Sequence, residues 1–156
     1  MPAAKILWIK NHEPEIFEKT DKFLLLEDYF LYRFTGRYLA EGSLLCSTIY
    51  WDIRTKQYWD EMLDFLEVSK EQLPQIAEPG EIAGKLQKRT ALELGLSENM
   101  MIVVGALDQA CGTIGVGNVE PGIFTESTGA ALAICAVSNQ PIFDQNRQMP
   151  CFYSAV

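Results

Sequence analysis

The chain has 156 residues, of which 48% are hydrophobic, and its formal net charge at pH 7 is −8. This composition supports a packed core and excludes a largely disordered chain. The acidic balance also argues against a general nucleic-acid-binding surface, because phosphate backbones are bound by clustered Lys and Arg, and the densest group here is three cations in residues 85–89. We therefore expect no nucleic-acid partner.

The cysteines and the N-terminus indicate a reducing compartment. Cys46, Cys111, Cys135 and Cys151 form no CxxC pair, and the only histidine is His12. This pattern predicts small buried thiols rather than a zinc site. The first residues do not form a secretory signal, and no apolar run reaches membrane-spanning length. We expect a cytoplasmic protein with no membrane partner.

The N-terminal two thirds of the sequence predicts a series of short helices. They are expected over residues 5–12, from residue 14 onward, and over residues 27–35, 60–66 and 90–94. Gly36 and Gly95 are the expected C-terminal stops of two of them. In the 60–66 helix, the residues expected to face inward are Met62, Leu63, Phe65 and Leu66.

Extended segments and turns are expected between these helices. Residues 23–26 and the start of the 38–50 stretch are expected to be extended, and a Ser- and Thr-rich segment around Ser43 and Ser47 follows. Ser69 and Gln72 have capping-box spacing, residues 79–80 mark a turn, and residues 82–86 predict an edge strand. Trp8 is expected in the core, whereas Lys5 and Asp28 are expected at the surface or as helix caps.

The pattern changes at residue 101, where strand signals begin. The apolar run 102–107, which contains Gly105, ends at Asp108, and small residues and glycines follow, including Gly112 and Gly115. This predicts a buried strand, a tight turn and a closely packed helix, with Asp108 at the strand's tip, where ligands bind in open α/β sheets. Residues 123–126 and 131–137 predict a β-hairpin around the turn 127–130, and residues 118–122 form the connector before it.

An acid and a hydroxyl-rich turn this close in sequence suggest phosphoryl transfer. Asp108 could orient a substrate hydroxyl and accept its proton. The alternative is a helix cap in which Asp108 accepts the amides of Cys111 or Gly112. The backbone amides of Ser127, Thr128 and Gly129 could surround phosphate oxygens, and the alternative there is an ordinary polar hairpin turn.

Five segments in collinear order resemble one enzyme family. They are the Lys-x-x-Trp stretch at 5–15, the helix Asp-Tyr-x-x-Tyr-x-x-Thr-Gly at 28–36, the Leu-Pro to Leu stretch at 73–86 with Gly80 and Gly84, the Gly-x-x-Asp-Gln segment at 105–115, and Thr128-Gly129. Together they resemble the FGGY carbohydrate kinases, which include glycerol, xylulose and gluconate kinases. The resemblance covers nearly the whole chain.

The resemblance implies an α/β chain that is part of an actin-like, ribonuclease-H-like ATPase fold with ATP between two lobes. Residues 1–117 would be the C-terminal part of the N-terminal lobe, and residues 118–156 the start of the C-terminal lobe with its opening β-hairpin. The implied reaction is ATP-dependent phosphorylation of a hydroxyl of a sugar, polyol or sugar acid, with a ketopentose or aldonate favoured. The isolated chain is expected to be a central fragment, inactive and prone to self-association, with a homodimer as one form.

The resemblance also assigns roles to residues. Asp108 would be the catalytic base, would bind the substrate together with Gln109, and would be a candidate ligand of the Mg²⁺ that accompanies ATP. Thr128 would contact ATP, with Ser127 and Gly129 beside it. The alternative for Gln109 is a solvent-facing side chain. Ser127 stands where most relatives have Gly, and this departure leaves a non-catalytic, kinase-like binding module as the alternative function.

Overall fold

Seven α-helices, one 3-10 helix and eight short strands alternate along the described residues of the computed structural model, which are 1–129, 132–146 and 148–155. The helices are α1 (Pro2–His12), α2 (Pro14–Lys19), α3 (Leu26–Thr35), α4 (Gly42–Leu45), α5 (Asp60–Leu66), α6 (Lys88–Leu94) and α7 (Asp108–Gly115), with the 3-10 helix at Lys70–Gln72. The strands are β1 (Leu39–Glu41), β2 (Trp51–Asp52), β3 (Gln57–Tyr58), β4 (Gln75–Ala77), β5 (Ile82–Lys85), β6 (Met101–Val103), β7 (Phe124–Thr128) and β8 (Leu132–Ala136).

Local sequence explains several helix ends. Proline opens α1 and α2, where its missing N–H costs no hydrogen bond. Gly36 ends α3 at φ 79° and Gly95 ends α6 at φ 67°, a left-handed backbone that glycine adopts without strain. The capping box of Ser69 and Gln72 is present at the 3-10 helix. The predicted stops at Gly36 and Gly95 and the predicted capping box are confirmed.

One helix was missing from the sequence prediction. Residue 42 begins α4, a single turn where a Ser- and Thr-rich segment without a helix was expected after an extended piece. The turn forms because the carboxylate of Glu41, the N-cap residue, accepts the backbone N–H groups of Ser43 and Leu44 at 2.7 Å each. A side chain thereby satisfies two amides that have no partner within the helix.

Four two-stranded sheets form within the described residues, one parallel and three antiparallel. Strands β1 and β4 are parallel, with Leu39 opposite Gln75 and Glu41 opposite Ala77. The pair β5–β6 is antiparallel with an irregular register between Ile82 and Gly84. The pairs β2–β3 and β7–β8 are hairpins. This mixture of helices, parallel strands and antiparallel strands confirms the expected α/β class.

Two clusters of buried side chains form the core. The larger packs α1, α5 and the segment around α4, and it contains Ala3, Ile6, Ala40, Leu45, Tyr50, Trp51, Leu63, Leu66, Val68 and Leu73. The smaller one joins α3, β1 and the end of the β5–β6 pair through Leu31, Leu39, Ala77, Ala83 and Val104. The second cluster lies directly behind the segment that leads to Asp108.

Two residues that were expected to be buried, Phe65 and Trp8, are exposed, because the sequence pattern does not determine which face of a helix packs against the core. In α5, Leu63 and Leu66 are buried, but Phe65 is 63% exposed, since it lies on another face of the helix. Trp8 is 55% exposed and stacks on His12 with ring centroids 4.7 Å apart, instead of lying in the core.

The four cysteines also depart from the prediction of buried thiols. Cys111 is exposed and the other three are half-buried, and all four are free. Partial burial nevertheless raises the pKa of Cys46 to about 11. No helix in the described part of the chain combines the length and the apolar sequence that crossing a bilayer requires.

Candidate active site

Asp108 is the first residue of α7, and its carboxylate is exposed. Its Oδ1 accepts the backbone N–H of the adjacent Gln109 at 2.9 Å. The expected alternative, a helix cap, is wrong. Leu107 is the N-cap residue, and the amide of Cys111 donates to the carbonyl of Leu107 at 2.9 Å rather than to Asp108. The carboxylate of Asp108 therefore lies exposed at the N-terminus of α7 and does not cap the helix.

The segment before Asp108 differs from the strand that the sequence predicts. Strand β6 ends at Val103, and Met101 and Val103 are about half exposed, so a strand buried through residue 107 is wrong for this chain. Val104 is 2% exposed and exchanges two backbone hydrogen bonds with the Gly80–Glu81 turn, at 2.9 and 2.8 Å. Residues 105–107 then run without strand pairing to the start of α7.

Close packing around α7 is likewise not found. None of its residues is buried. Among the described residues, no heavy atom outside the helix's own backbone lies within 4 Å of the position that a Cβ would take at Gly105, Gly112 or Gly115. These glycines therefore do not serve close backbone approach within the described part of the chain.

A buried polar chain holds the start of α7, and the sequence analysis missed its role. The backbone N–H of Leu107 donates to Oγ of Ser43 at 2.9 Å, and that hydroxyl lies 2.7 and 2.8 Å from the two carboxylate oxygens of Glu41. Ser43 is fully buried and Glu41 is 5% exposed. The only local signal was an acid two residues before a serine at the end of a predicted extended segment.

A cavity of about 180 Å³ lies beside this chain, and two buried acids, Asp28 and Glu41, line it together with Gly105 and Ala106. Asp28 is 2% exposed, and its Oδ2 accepts the N–H of Leu25 at 2.8 Å. The expectation of a cap is confirmed, while a surface position is wrong. Burial raises the pKa of Asp28 to about 7.

The predicted phosphate turn begins later than expected. Ser127 and Thr128 belong to β7 and are paired with Ala133 and Leu132 of β8, so they are strand residues rather than turn residues. Gly129 follows the strand, and all three are exposed. Ala130, the fourth residue of the predicted turn, and Ala131, the first residue of the predicted second strand, lie outside the described residues.

Asn118 joins the hairpin to α7. It is 1% exposed, and its Nδ2 donates to Oγ1 of Thr125 at 3.2 Å and to the carbonyl of Cys135 at 3.3 Å. Its backbone N–H donates to the carbonyl of Thr113 in α7 at 3.1 Å. The two groups of candidate residues are thus linked through one buried residue, although no hydrogen bond between described residues joins them directly.

Comparisons with known proteins agree with this architecture. The sequence matches the model for the N-terminal domain of the FGGY family of carbohydrate kinases over residues 1–115. It is 36% identical over 136 residues to the xylulose kinase of Escherichia coli (strain K12), an alignment that covers 87% of this chain and 28% of that protein. The match thus lies within a part of a much longer relative.

Solved structures give the same result. Crystal structures of a ligand-bound xylulose kinase and of a gluconate kinase, both from Lactobacillus acidophilus, each match with a TM-score of 0.92 and 29% identity. Each match covers 98% of this chain and 31% of the solved one. This likeness confirms the expected α/β, actin-like ATPase fold, and the chain spans less than a third of the length of these three relatives.

Proposed function

The chain belongs to the FGGY family of carbohydrate kinases, and from this premise we propose that it works as the central part of an ATP-dependent kinase that phosphorylates a hydroxyl of a sugar, polyol or sugar acid. The observation on which the proposal rests is the exposed carboxylate of Asp108, presented at the head of α7 by a buried support. A ketopentose or an aldonate is the favoured substrate, because the similar proteins include xylulose and gluconate kinases.

Asp108 is proposed as the catalytic base. A sugar hydroxyl is a weak nucleophile at neutral pH, and a carboxylate within hydrogen-bonding reach can orient it and take its proton. The substrate oxygen then bonds to the γ-phosphorus of ATP, the bond from that phosphorus to the bridging oxygen breaks, and ADP leaves. Because an ionised carboxylate can accept several hydrogen bonds, the bond that it accepts from the N–H of Gln109 does not prevent Asp108 from accepting another from the substrate.

Gln109 is proposed to hold a second substrate hydroxyl, and its exposed position next to Asp108 supports this. Thr128, with Ser127 and Gly129, is proposed to contact the phosphates of ATP. The exposed hydroxyls at the end of β7 can donate to phosphate oxygens, and Gly129 has no side chain to block a phosphate group.

Magnesium fits this site only as an ion that ATP brings with it. Among the described residues, no three His, Cys, Asp or Glu side chains are arranged to hold a metal ion. Mg²⁺ commonly takes one or two carboxylates and completes its shell with water and phosphate oxygens. Asp108 is the residue that could supply one such oxygen. When bound, the ion would neutralise charge on the transferring phosphoryl group.

We further propose that residues 1–117 belong to the N-terminal lobe and residues 118–156 begin the C-terminal lobe. The family model, which ends at residue 115, supports a boundary in this region. Gly117 and Gly122 have φ values of 83° and 94°, so the segment between α7 and β7 turns at glycines. The 156-residue chain alone is proposed to be inactive, because phosphoryl transfer depends on a full set of groups around the phosphates.

The proposal is tested by ATP-dependent ADP release from the complete native protein with xylulose, gluconate and glycerol, beside the 156-residue chain. We expect turnover with at least one of these compounds by the complete protein and none by the short chain. No turnover by the complete protein with any compound would refute the kinase proposal. It would favour a non-catalytic, kinase-like module, for which Ser127 in place of the usual glycine is the specific observation.

A further inference from the structure

We propose that Ser43 and Glu41 are positioning residues for the phosphoryl-transfer reaction, because they fix the backbone that presents Asp108. This inference rests on the proposed kinase function of Asp108. Neither residue touches the reacting atoms in this account. They act through Leu107, which lies directly before the proposed base.

The direction of the hydrogen bonds is set by the chemistry of the groups. A serine hydroxyl has one proton to give, and a carboxylate can only accept. Ser43 therefore donates to Glu41 at 2.7–2.8 Å, and its oxygen is left to accept the N–H of Leu107 at 2.9 Å. Each donor in this chain has an acceptor; Ser43 and Glu41 are buried, and Leu107 is partly buried.

Glu41 is itself held rigidly. It is the last residue of β1, and its carboxylate also accepts the amides of Ser43 and Leu44 at 2.7 Å. Leu39 at the start of the same strand shares a buried cluster with Val104, three residues before Leu107. The strand that carries Glu41 and the segment that leads to Leu107 therefore pack against the same buried cluster.

Other contacts do not replace this support. No residue of α7 is buried, so packing does not fix the start of the helix. Among the described residues, the Leu107–Ser43 bond is the only hydrogen bond that joins residues 105–110 to a segment distant in sequence. Since Leu107 is the N-cap residue of α7, the direction of the first helical turn, and with it the place of Asp108, depends on this bond.

The test compares Ser43→Ala with Ser47→Ala in the complete native protein. Ser47 is a matched control, because among the described residues its Oγ donates only to the nearby carbonyl of Leu44, at 2.8 Å. For Ser43→Ala we expect kcat to fall about 10- to 100-fold, since small displacements of a catalytic group have costs of this size. The KM for ATP should change by no more than about twofold, because the residues proposed to contact the phosphates lie at the end of β7 and not on α7.

Two further variants and a second readout keep the test decisive. Ser43→Thr retains the hydroxyl and should recover most of kcat, and Ser43→Cys keeps the size of the side chain if Ser43→Ala does not fold. Hydrogen exchange of the Leu107 amide should be slow in the wild type and in Ser47→Ala, and much faster in Ser43→Ala. A purely structural role would lower stability without the selective loss of kcat.

The outcomes separate this inference from the proposed function. If the Asp108→Asn variant turns over at the wild-type rate, the proposed role of Asp108 as the catalytic base is refuted. Turnover that is lost in Asp108→Asn but unchanged in a folded Ser43→Ala variant would refute only the positioning role. Rapid exchange of the Leu107 amide in the wild type would also overturn the positioning role.

Discussion

Asp28 gives the structure a pH-dependent stability that can be measured. Its carboxyl is 2% exposed, and burial, with smaller effects from the nearby Glu27 and Glu41, raises its pKa from 3.8 to about 7 against the opposing hydrogen bond from Leu25. Between these two values the folded chain keeps the proton and the unfolded chain releases it. Stability therefore falls as the pH rises through this window and levels off above pH 7.

The size of the effect follows from the two pKa values. At 1.36 kcal/mol for each pH unit, the change from 3.8 to about 7 corresponds to a loss of about 4 kcal/mol in the free energy of unfolding. Asp28→Asn is neutral at every pH, and its amide oxygen can still accept the N–H of Leu25. We expect this variant to be more stable than the wild type at pH 8 by about 2–4 kcal/mol and to lack most of the pH dependence.

The assay is urea unfolding followed by circular dichroism at several pH values from 5 to 8. Asp64→Asn is the control, because it removes an exposed carboxylate from another helix and should leave the wild-type slope unchanged. The exposed carboxyls of Glu71 and Glu93, whose pKa values are lowered, are ionised throughout this range and add no slope. If stability curves of the wild type and Asp28→Asn run parallel from pH 5 to 8, the reasoning about Asp28 is refuted.

Two further pairs of variants test the packing. In chemical unfolding, Leu66→Ala should lower the free energy of unfolding by about 2–5 kcal/mol, because Leu66 is 1% exposed. Phe65→Ala on the same helix should lower it by less than about 1 kcal/mol, because Phe65 is 63% exposed. Equal losses would contradict the orientation of α5. Gly42→Ala should destabilise the chain, since its Cβ would lie 2.6 Å from a ring carbon of Tyr153. Gly112→Ala in α7 should stabilise the chain by about 0.5–1 kcal/mol, because its Cβ would have no neighbour within 4 Å among the described residues. Thermal unfolding that ranks the two variants in the opposite order would refute this packing.

Features that depend on neighbours in sequence could be predicted. The helix stops at Gly36 and Gly95 and the capping box at Ser69 follow from short-range backbone chemistry, and they are confirmed. Motif order was equally informative, because five collinear segments indicated the family that the comparisons then identified. The α/β class follows from the same family resemblance, and it is confirmed.

Features that depend on what packs against a segment could not be predicted. Residues 43 and 107 are 64 positions apart in the chain, and neither sequence neighbourhood shows that they meet. Trp8 and Phe65 are large apolar residues that sequence reasoning placed in the core, but the covered faces of α1 and α5 point elsewhere. Asp28 shows the reverse error, because a capping acid is usually exposed and this one is enclosed.

One feature of the candidate site could be predicted from the sequence, and another could not. The local sequence predicted that an acid would stand at the start of a helix after an extended segment, and Asp108 lies there. The sequence did not show that the hydroxyl residues near Thr128 would be paired in a strand rather than placed in a turn. The catalytic, substrate-binding and ATP-binding roles of these residues stay predictions.

The central claim is that Asp108 is the base that activates a sugar hydroxyl, and one kinetic comparison tests it most directly. The turnover of the complete native protein is measured beside Asp108→Asn and the control Asp64→Asn, with the substrate that supports the fastest ADP release. We expect kcat to fall about 10²- to 10⁴-fold for Asp108→Asn with little change in the KM for ATP, and we expect wild-type values for Asp64→Asn. A folded Asp108→Asn variant that turns over at the wild-type rate would contradict it.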